Sequence, residues 1–205
     1  MPIPWHADLL QARAGPGDRD GNRIPAQNGI TLAQLRNTAK LLSRLCKTGL
    51  LRHTSEFSRA SGEYGCVIKW TRINMHNISQ EVIKKIIHEE NSCSWVEICS
   101  RKAQKPKVFV SHNWSEPFRD FMTAIELYTN SAGIGVHDAF FICTFANDQW
   151  NVDLGETLQE SPFYLALSGA QQVVLMLDKT GSALSRIWCV FEMRTTLEKE
   201  TPLSI

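Results

Sequence analysis

The sequence predicts an α/β fold, a parallel sheet covered by helices. Three observations carry this. Short apolar runs at 108–110, 139–145 and 172–177 read as strands buried on both faces. Amphipathic stretches of helical length separate them. The resulting order of strand, helix, strand, helix, strand, helix is the signature of parallel strands joined by helical crossovers.

Element by element, residues 1–30 carry Gly15-Pro16-Gly17, Asp20-Gly21, Pro25 and Asn28-Gly29, which is turn and loop chemistry without periodicity. Such a segment is expected to be loop-rich and dispensable. Residues 31–48 read as a helix: Thr31 and Gln34 form a capping-box pattern, Leu32, Leu35, Ala39, Leu42 and Leu45 make an apolar stripe, and Gly49 is placed to end it. Tyr64, Cys66, Ile68 and Trp70 alternate, predicting a strand over 64–72. Ser79 can cap a helix over 79–90 with Val82, Ile83, Ile86 and Ile87 inward. A short strand is expected at 95–99, then a basic connector at 102–107 closed by Pro106. Beyond it, Pro117 suits the first turn of a helix running to about 128, a shorter helix is expected over 159–168, and a longer one over 185–199. Residues 202–205 begin a fourth strand. Three parts follow: a loop-rich N-terminus at 1–30, an α+β extension at 31–104, and an α/β unit at 105–205.

Bulk properties bound the function. The chain has 205 residues, 43% hydrophobic and 21% charged, which is globular composition. A net charge of +1 gives no electrostatic case for nucleic acid or an anionic membrane as partner. No apolar run has the length to cross a bilayer, and Met1 to Asp8 does not read as a secretory signal. The six cysteines form no Cys-x-x-Cys pair and show no zinc spacing, so a reduced, cytoplasmic protein without a metal is expected.

Ligands of an open parallel sheet bind at the carboxyl ends of its strands. The residues there are rich in chemistry. Ser111, His112, Asn113, Trp114, Ser115 and Glu116 follow the first strand, Asn147, Asp148, Gln149 and Trp150 the second, and Asp178, Lys179 and Thr180 the third. The run 185–193 adds one carboxylate, Glu192, among apolar neighbours, with Ser185, Trp188 and Glu192 on one helical face. An acid beside an indole is partly desolvated, which raises its pKa toward a catalytic range. The plain alternatives are a solvated glutamate, a structural His112, packing roles for Trp114 and Trp150, and loop turns at Asn147 and Gln149. Cys189 reads as core. Gly133-Ile134-Gly135 precedes a strand and has Asp138 where a dinucleotide fingerprint needs its third glycine, so it reads as a turn. No phosphate loop and no Gly-x-Ser-x-Gly elbow is present.

Taken together, Lys107-Val108-Phe109-Val110-Ser111-His112 resembles the opening strand of Toll/interleukin receptor (TIR) domains, and Ser185 to Met193 resembles the plant TIR motif of serine, Trp-Cys and a glutamate three residues later. A closer likeness is to TIR-like proteins of alveolates and other protists, which carry Ser-His-x-Trp-Gly-Glu-Pro and Ala-Asn-x-Gln stretches. This chain has Ser111 to Pro117, departing at Ser115 where glycine is usual, and Ala146-Asn147-Asp148-Gln149. The likeness spans about residues 73–205.

The resemblance implies a flavodoxin-like sheet, C-terminally incomplete because a TIR domain has five strands, preceded by a helix and strand extension. It implies NAD as substrate rather than cofactor, with cleavage of the nicotinamide–ribose bond and Glu192 as catalytic residue. Ser111 and His112 would contact ribose or phosphate, Trp114 or Trp150 would stack on a base, Trp188 would wall the pocket, and Asn147, Gln149 and Ser185 would complete the substrate contacts. The competing expectations are a non-enzymatic TIR-type signalling module that self-associates through its surfaces, and a nucleoside hydrolase or transferase using the same glutamate. The expected strand order puts the first strand in the middle. The third strand, 172–177, then lacks its usual outer neighbours apart from whatever Pro202 to Ile205 supplies, and needs cover for that edge from the N-terminal region or from a second copy.

Overall fold

A computed structural model describes residues 24–205. A five-stranded, mostly parallel sheet runs through it in the order β1-β3-β2-β4-β5. The strands are β1 (Ile30–Thr31), β2 (Val108–Ser111), β3 (Ala139–Phe141), β4 (Gln172–Leu175) and β5 (Leu203–Ser204). β2 lies at the centre, parallel to β3 on one side and β4 on the other, with Phe109 opposite both Phe141 and Val173. The expected central position of this strand is therefore met. β1 is the exception in direction, pairing antiparallel with β3.

Side chains alternate across the sheet. Val108, Val110, Phe140, Ile142 and Val174 face the larger core, built with α1 (Leu32–Lys47), the helical run 75–86, and α5 (Phe118–Ala132). Phe109, Phe141 and Val173 face the smaller core, with α7 (Pro162–Gly169). α8 (Ile187–Glu198) lies beside α7 on that second face and packs on Leu175 through Cys189. The extension is thus part of the main core rather than an appendage.

Local chemistry explains the elements. The capping box at α1 forms as read: Thr31 Oγ1 accepts from the Gln34 backbone N–H at 3.2 Å while Gln34 Oε1 accepts from the Thr31 N–H at 2.9 Å. Gly133, at φ 64°, ends α5 in the left-handed conformation, so the glycine pair there is the turn it was read to be. A bidentate pair, Arg36 to Glu126 at 2.7 and 2.6 Å, joins α1 to α5.

Several expectations are corrected. No strand forms over 64–72. Turns at Gly62 and Gly65, both at positive φ, break the alternation, and an isolated bridge from Arg52 to Val67 remains, with Ile68 buried and Tyr64 exposed. The segment 95–99 is a helix, α4 (Trp95–Cys99), because Ser94 and Glu97 make a capping box. Earlier in the chain comes α2 (Glu56–Ala60). The next helix, α3, starts before Ser79: Asn74 caps Met75–Asn77, a π-helical turn covers Ile78–Ile83, and Lys84–Ile86 completes it. The expected inward residues Val82, Ile83, Ile86 and Ile87 are all buried. Glu81, also buried, accepts hydrogen bonds from Thr54, Ser55 and Ser58, and this network fastens the 54–58 segment to α3. β3 is shorter than expected because a helix, α6 (Cys143–Ala146), begins two residues after it.

The loop-rich N-terminus also needs revision. Residues 1–23 lie outside the described residues, but Ala26, Asn28 and Ile30 are buried. Asn28 Nδ2 donates to Ser94 Oγ at 3.1 Å and to the Ala146 carbonyl at 3.2 Å. The N-terminal region covers the edge of β3, not of β4. The edge of β4 is covered by β5, with Val173 opposite Leu203 and Val174 opposite Ser204.

Gly29 sits where a side chain has no room: a Cβ there would stand 2.8 Å from both Ala139 Cβ and the Gln104 carbonyl oxygen. Gly29→Ala is expected to lower stability by ~1–3 kcal/mol, as overpacking does, measured by denaturant unfolding. Unchanged stability would contradict the close approach of the N-terminal segment to β3.

Candidate functional site

A cavity of about 330 Å³ opens at the carboxyl end of the sheet. Its walls come from the end of β2 (Val110, His112, Trp114), the start of α6 (Cys143), α7 (Phe163), α8 with its approach (Arg186, Trp188, Cys189, Glu192), and α3 (His76). This is where an open parallel sheet places ligands.

Glu192 is 6% exposed. Odd-numbered residues of β2 face α8, so Ser111 meets the glutamate across the gap, and Ser111 Oγ donates to Glu192 Oε2 at 2.5 Å. Burial pushes the Glu192 carboxyl up to about 7, against the Ser111 hydrogen bond and the Arg186 charge, which both favour ionisation. Its acid and carboxylate forms are therefore both accessible near neutral pH. Trp188 forms one wall, its ring stacked on Phe163 with centroids 5.2 Å apart.

His112 is buried, with its ring 5.0 Å from Phe121. Burial, then the Arg186 charge, push it down to about 3. Its Nδ1 lies 3.7 Å from Glu116 Oε1, and neither atom has a hydrogen-bond partner. Burial, then Asp178 and Asp120, raise Glu116 to about 8. At pH 7 the contact is a neutral acid beside a neutral ring, not an ion pair. Cys143 Sγ accepts from Trp114 Nε1 at 3.1 Å and lies 3.9 Å from His112 Nε2. Burial pushes its thiol to about 11, and that of Cys189 upward as well, so neither is a ready thiolate. Cys189 is core, as its sequence context suggested.

The cavity is thus lined by His112, Trp114, Trp188 and Glu192, with Ser111 hydrogen-bonded to Glu192 behind its wall, and the other four sequence candidates do not line it. Ser185 is exposed in the turn Ser182–Ser185 before α8, where its hydroxyl donates to the Ser182 carbonyl. Its face is lost because α8 begins two residues later, at Ile187. Asn147 is buried under the sheet end, and Gln149 accepts from Ser79 Oγ at 3.0 Å and donates to the Cys143 carbonyl. Trp150 donates to the Ile87 carbonyl at 2.6 Å and lies under the Lys84 ammonium. Gln149 and Trp150 thus fasten the loop after β3 to α3 and the residue that follows it, while the buried Asn147 Oδ1 has no hydrogen-bond partner, and none of the three lines the cavity.

Arg186, His76 and Phe163 were not legible as site residues. Arg186 had one sequence signal: a cation at a helix N-terminus runs against the helix dipole, so its placement asks for another reason. Here its Nη1 donates to the His112 carbonyl at 3.4 Å and its charge faces the cavity. Among the described residues no group of three or more His, Cys, Asp or Glu is arranged to hold a metal ion, and no helix is long and apolar enough to cross a membrane. Compared with family models, curated proteins and solved structures, the chain matches none.

Glu192 titrates near pH 7 when folded and near its ordinary 4.5 when unfolded, so the folded state holds the extra proton between those values. Stability from this residue is therefore lost as pH rises from about 4.5 to about 7, and stays lost above. Glu192→Gln should raise the thermal midpoint at pH 8, by up to ~3 kcal/mol in stability, and change it little at pH 4. A difference between variant and wild type that is the same at both pH values would contradict the burial of this carboxyl.

Proposed function

We propose that the chain is a TIR-like NAD nucleosidase that breaks the bond between nicotinamide and ribose, with Glu192 as its catalytic carboxylate. The observation that carries this reading is a single buried acid, titrating near neutral pH, in an aromatic-walled cavity at the strand ends. The parallel part of the sheet, β3-β2-β4-β5, supports it: relative to one another these strands run in the order 2-1-3-4, the beginning of the flavodoxin-like order.

Cleavage of an N-glycosidic bond passes through an oxocarbenium-like state. A carboxylate placed beside the developing cation is worth on the order of 10²–10³ in rate in a water-poor site. Glu192 in its ionised form fills that role, and the Ser111 hydrogen bond holds its orientation and favours ionisation. Trp188 and Phe163 offer a flat apolar wall to the departing nicotinamide, Trp114 lines the cavity with them, and Arg186 supplies the positive charge that a phosphate needs. NAD is substrate here and no resident cofactor is required. The lack of disulfides among the six cysteines fits a reducing compartment such as the cytoplasm.

A second reading, a TIR-type interaction module, draws on a different feature. Ile187, Val190 and Leu197 form an exposed apolar stripe along α8, the kind of surface a second copy would cover.

Incubating the purified protein with NAD at high protein concentration, followed by chromatography, should release nicotinamide, and Glu192→Gln should lower the rate at least ~100-fold. Equal activity in the variant would assign catalysis elsewhere. No release from either protein, together with concentration-dependent assembly in light scattering, would favour the interaction module. The rate should climb as pH rises through about 7, where Glu192 ionises. Ser111→Ala should move that limb to higher pH, because the lost hydrogen bond favoured the charged form. A limb that stays in place would show that Ser111 does not tune the catalyst.

A further inference from the structure

A cavity of about 330 Å³ sits at the small end of ligand sites, roughly 300–1,000 Å³, and seats one nucleoside-sized unit rather than a dinucleotide. The remainder of such a molecule must lie outside it. One residue, His76, lines both this cavity and a second, larger cleft of about 790 Å³. The neighbours Trp114 and Ser115 divide in the same way, the first facing the cavity and the second the cleft. The His76 ring meets Trp114 edge-on at 5.3 Å and, on the cleft side, is stacked against Phe57 at 5.3 Å with 14° between the planes. His76 is thus the residue common to the two linings.

The cleft is built by the extension, not by the sheet, and its chemistry differs from that of the cavity. Phe57 is 48% exposed, a flat ring backed by a second ring, which is a surface on which a base stacks. Lys69 and Arg72 are exposed on its wall, and neither has an ion-pair partner among the described residues. Glu63 is the acidic member of the wall, and it lies 3.9 Å from His53. Burial, and after it the charge of the nearby Arg186, lower the pKa of His76, and a phosphate bridge crossing the divide would pass the Arg186 guanidinium.

We propose that this cleft is a second subsite, which takes the adenosine monophosphate end of a dinucleotide whose nicotinamide end enters the Glu192 cavity. Phe57 stacks on the adenine, and Arg72 and Lys69 hold the phosphate. The assignment rests on the NAD reading for the identity of the whole ligand, but it concerns different residues and can be tested without turnover.

The test is calorimetric titration of the purified protein with adenosine 5′-monophosphate and with adenosine, for wild type, Phe57→Ala, Arg72→Ala and Glu192→Gln. Wild type should bind the nucleotide. Phe57→Ala should weaken both ligands about tenfold, since stacking is lost. Arg72→Ala should weaken the nucleotide and leave adenosine unchanged, and Glu192→Gln should bind both as wild type does. Both cleft substitutions are at exposed residues, and unchanged thermal midpoints would confirm that the variants are folded. No binding of the nucleotide at millimolar concentration, or a nucleotide affinity within twofold of wild type in either cleft variant, overturns the subsite. Phe57-dependent nucleotide binding without any nicotinamide release would keep the subsite and discard NAD cleavage. Nicotinamide release with a Phe57→Ala KM equal to that of wild type would do the reverse.

Discussion

Burial of β2 on both faces and both edges is the constraint on which the molecule depends. All four residues, Val108 to Ser111, pair with β4 and the first two also with β3, and the side chains of Val108, Phe109 and Val110 enter two separate cores. A strand in that position cannot hydrogen-bond water, so its neighbours must satisfy every backbone group. Its alternation also decides the site. Ser111 falls on the face toward α8 and reaches Glu192, while His112, one residue on, turns to the opposite side and is closed in by Phe121. A slip of one residue would exchange the two.

The same strand end accounts for the electrostatics. Glu192 and Glu116 are both lifted by burial, yet they meet different partners. Glu192 has a hydroxyl to order it and a guanidinium nearby. Glu116 faces only a neutral imidazole, beyond hydrogen-bond distance. Glu192 lines the cavity at the strand ends and Glu116 does not, which separates a candidate catalyst from a structural acid of similar burial.

What was legible in the sequence divides along physical lines. Local signals were read well where one mechanism dominated: the Thr31 capping box, the continuous apolar run of β2, and the pairing of Trp188 with Glu192 on one helix. They failed where two patterns competed. The alternation from Tyr64 to Trp70 looked like a strand, but the glycines at 62 and 65 prefer turns and no neighbouring strand was available to pair. At Trp95 the β-prone residues hid a Ser-x-x-Glu cap that decides for a helix. Residues brought to the cavity from far along the chain, His76 and Phe163, left no local trace. The loop after β3 differs from its reading for a related reason: Gln149 and Trp150 are polar and aromatic at a strand end, and their partners, Ser79 and Ile87, lie in or just after a helix some 60 to 70 residues earlier. Sequence position at the functional edge does not distinguish a ligand contact from a joint between two parts of the fold.

The candidate site turns on one carboxyl group that is buried, hydrogen-bonded to Ser111 and titrating near neutrality. Its direct measurement is a carbon-13 NMR titration of the glutamate side-chain carboxyls, with Glu192 assigned by its disappearance in Glu192→Gln. A Glu192 midpoint near pH 7 is the predicted result. A midpoint near the ordinary value of 4.5 would place the carboxyl in solvent and contradict the site.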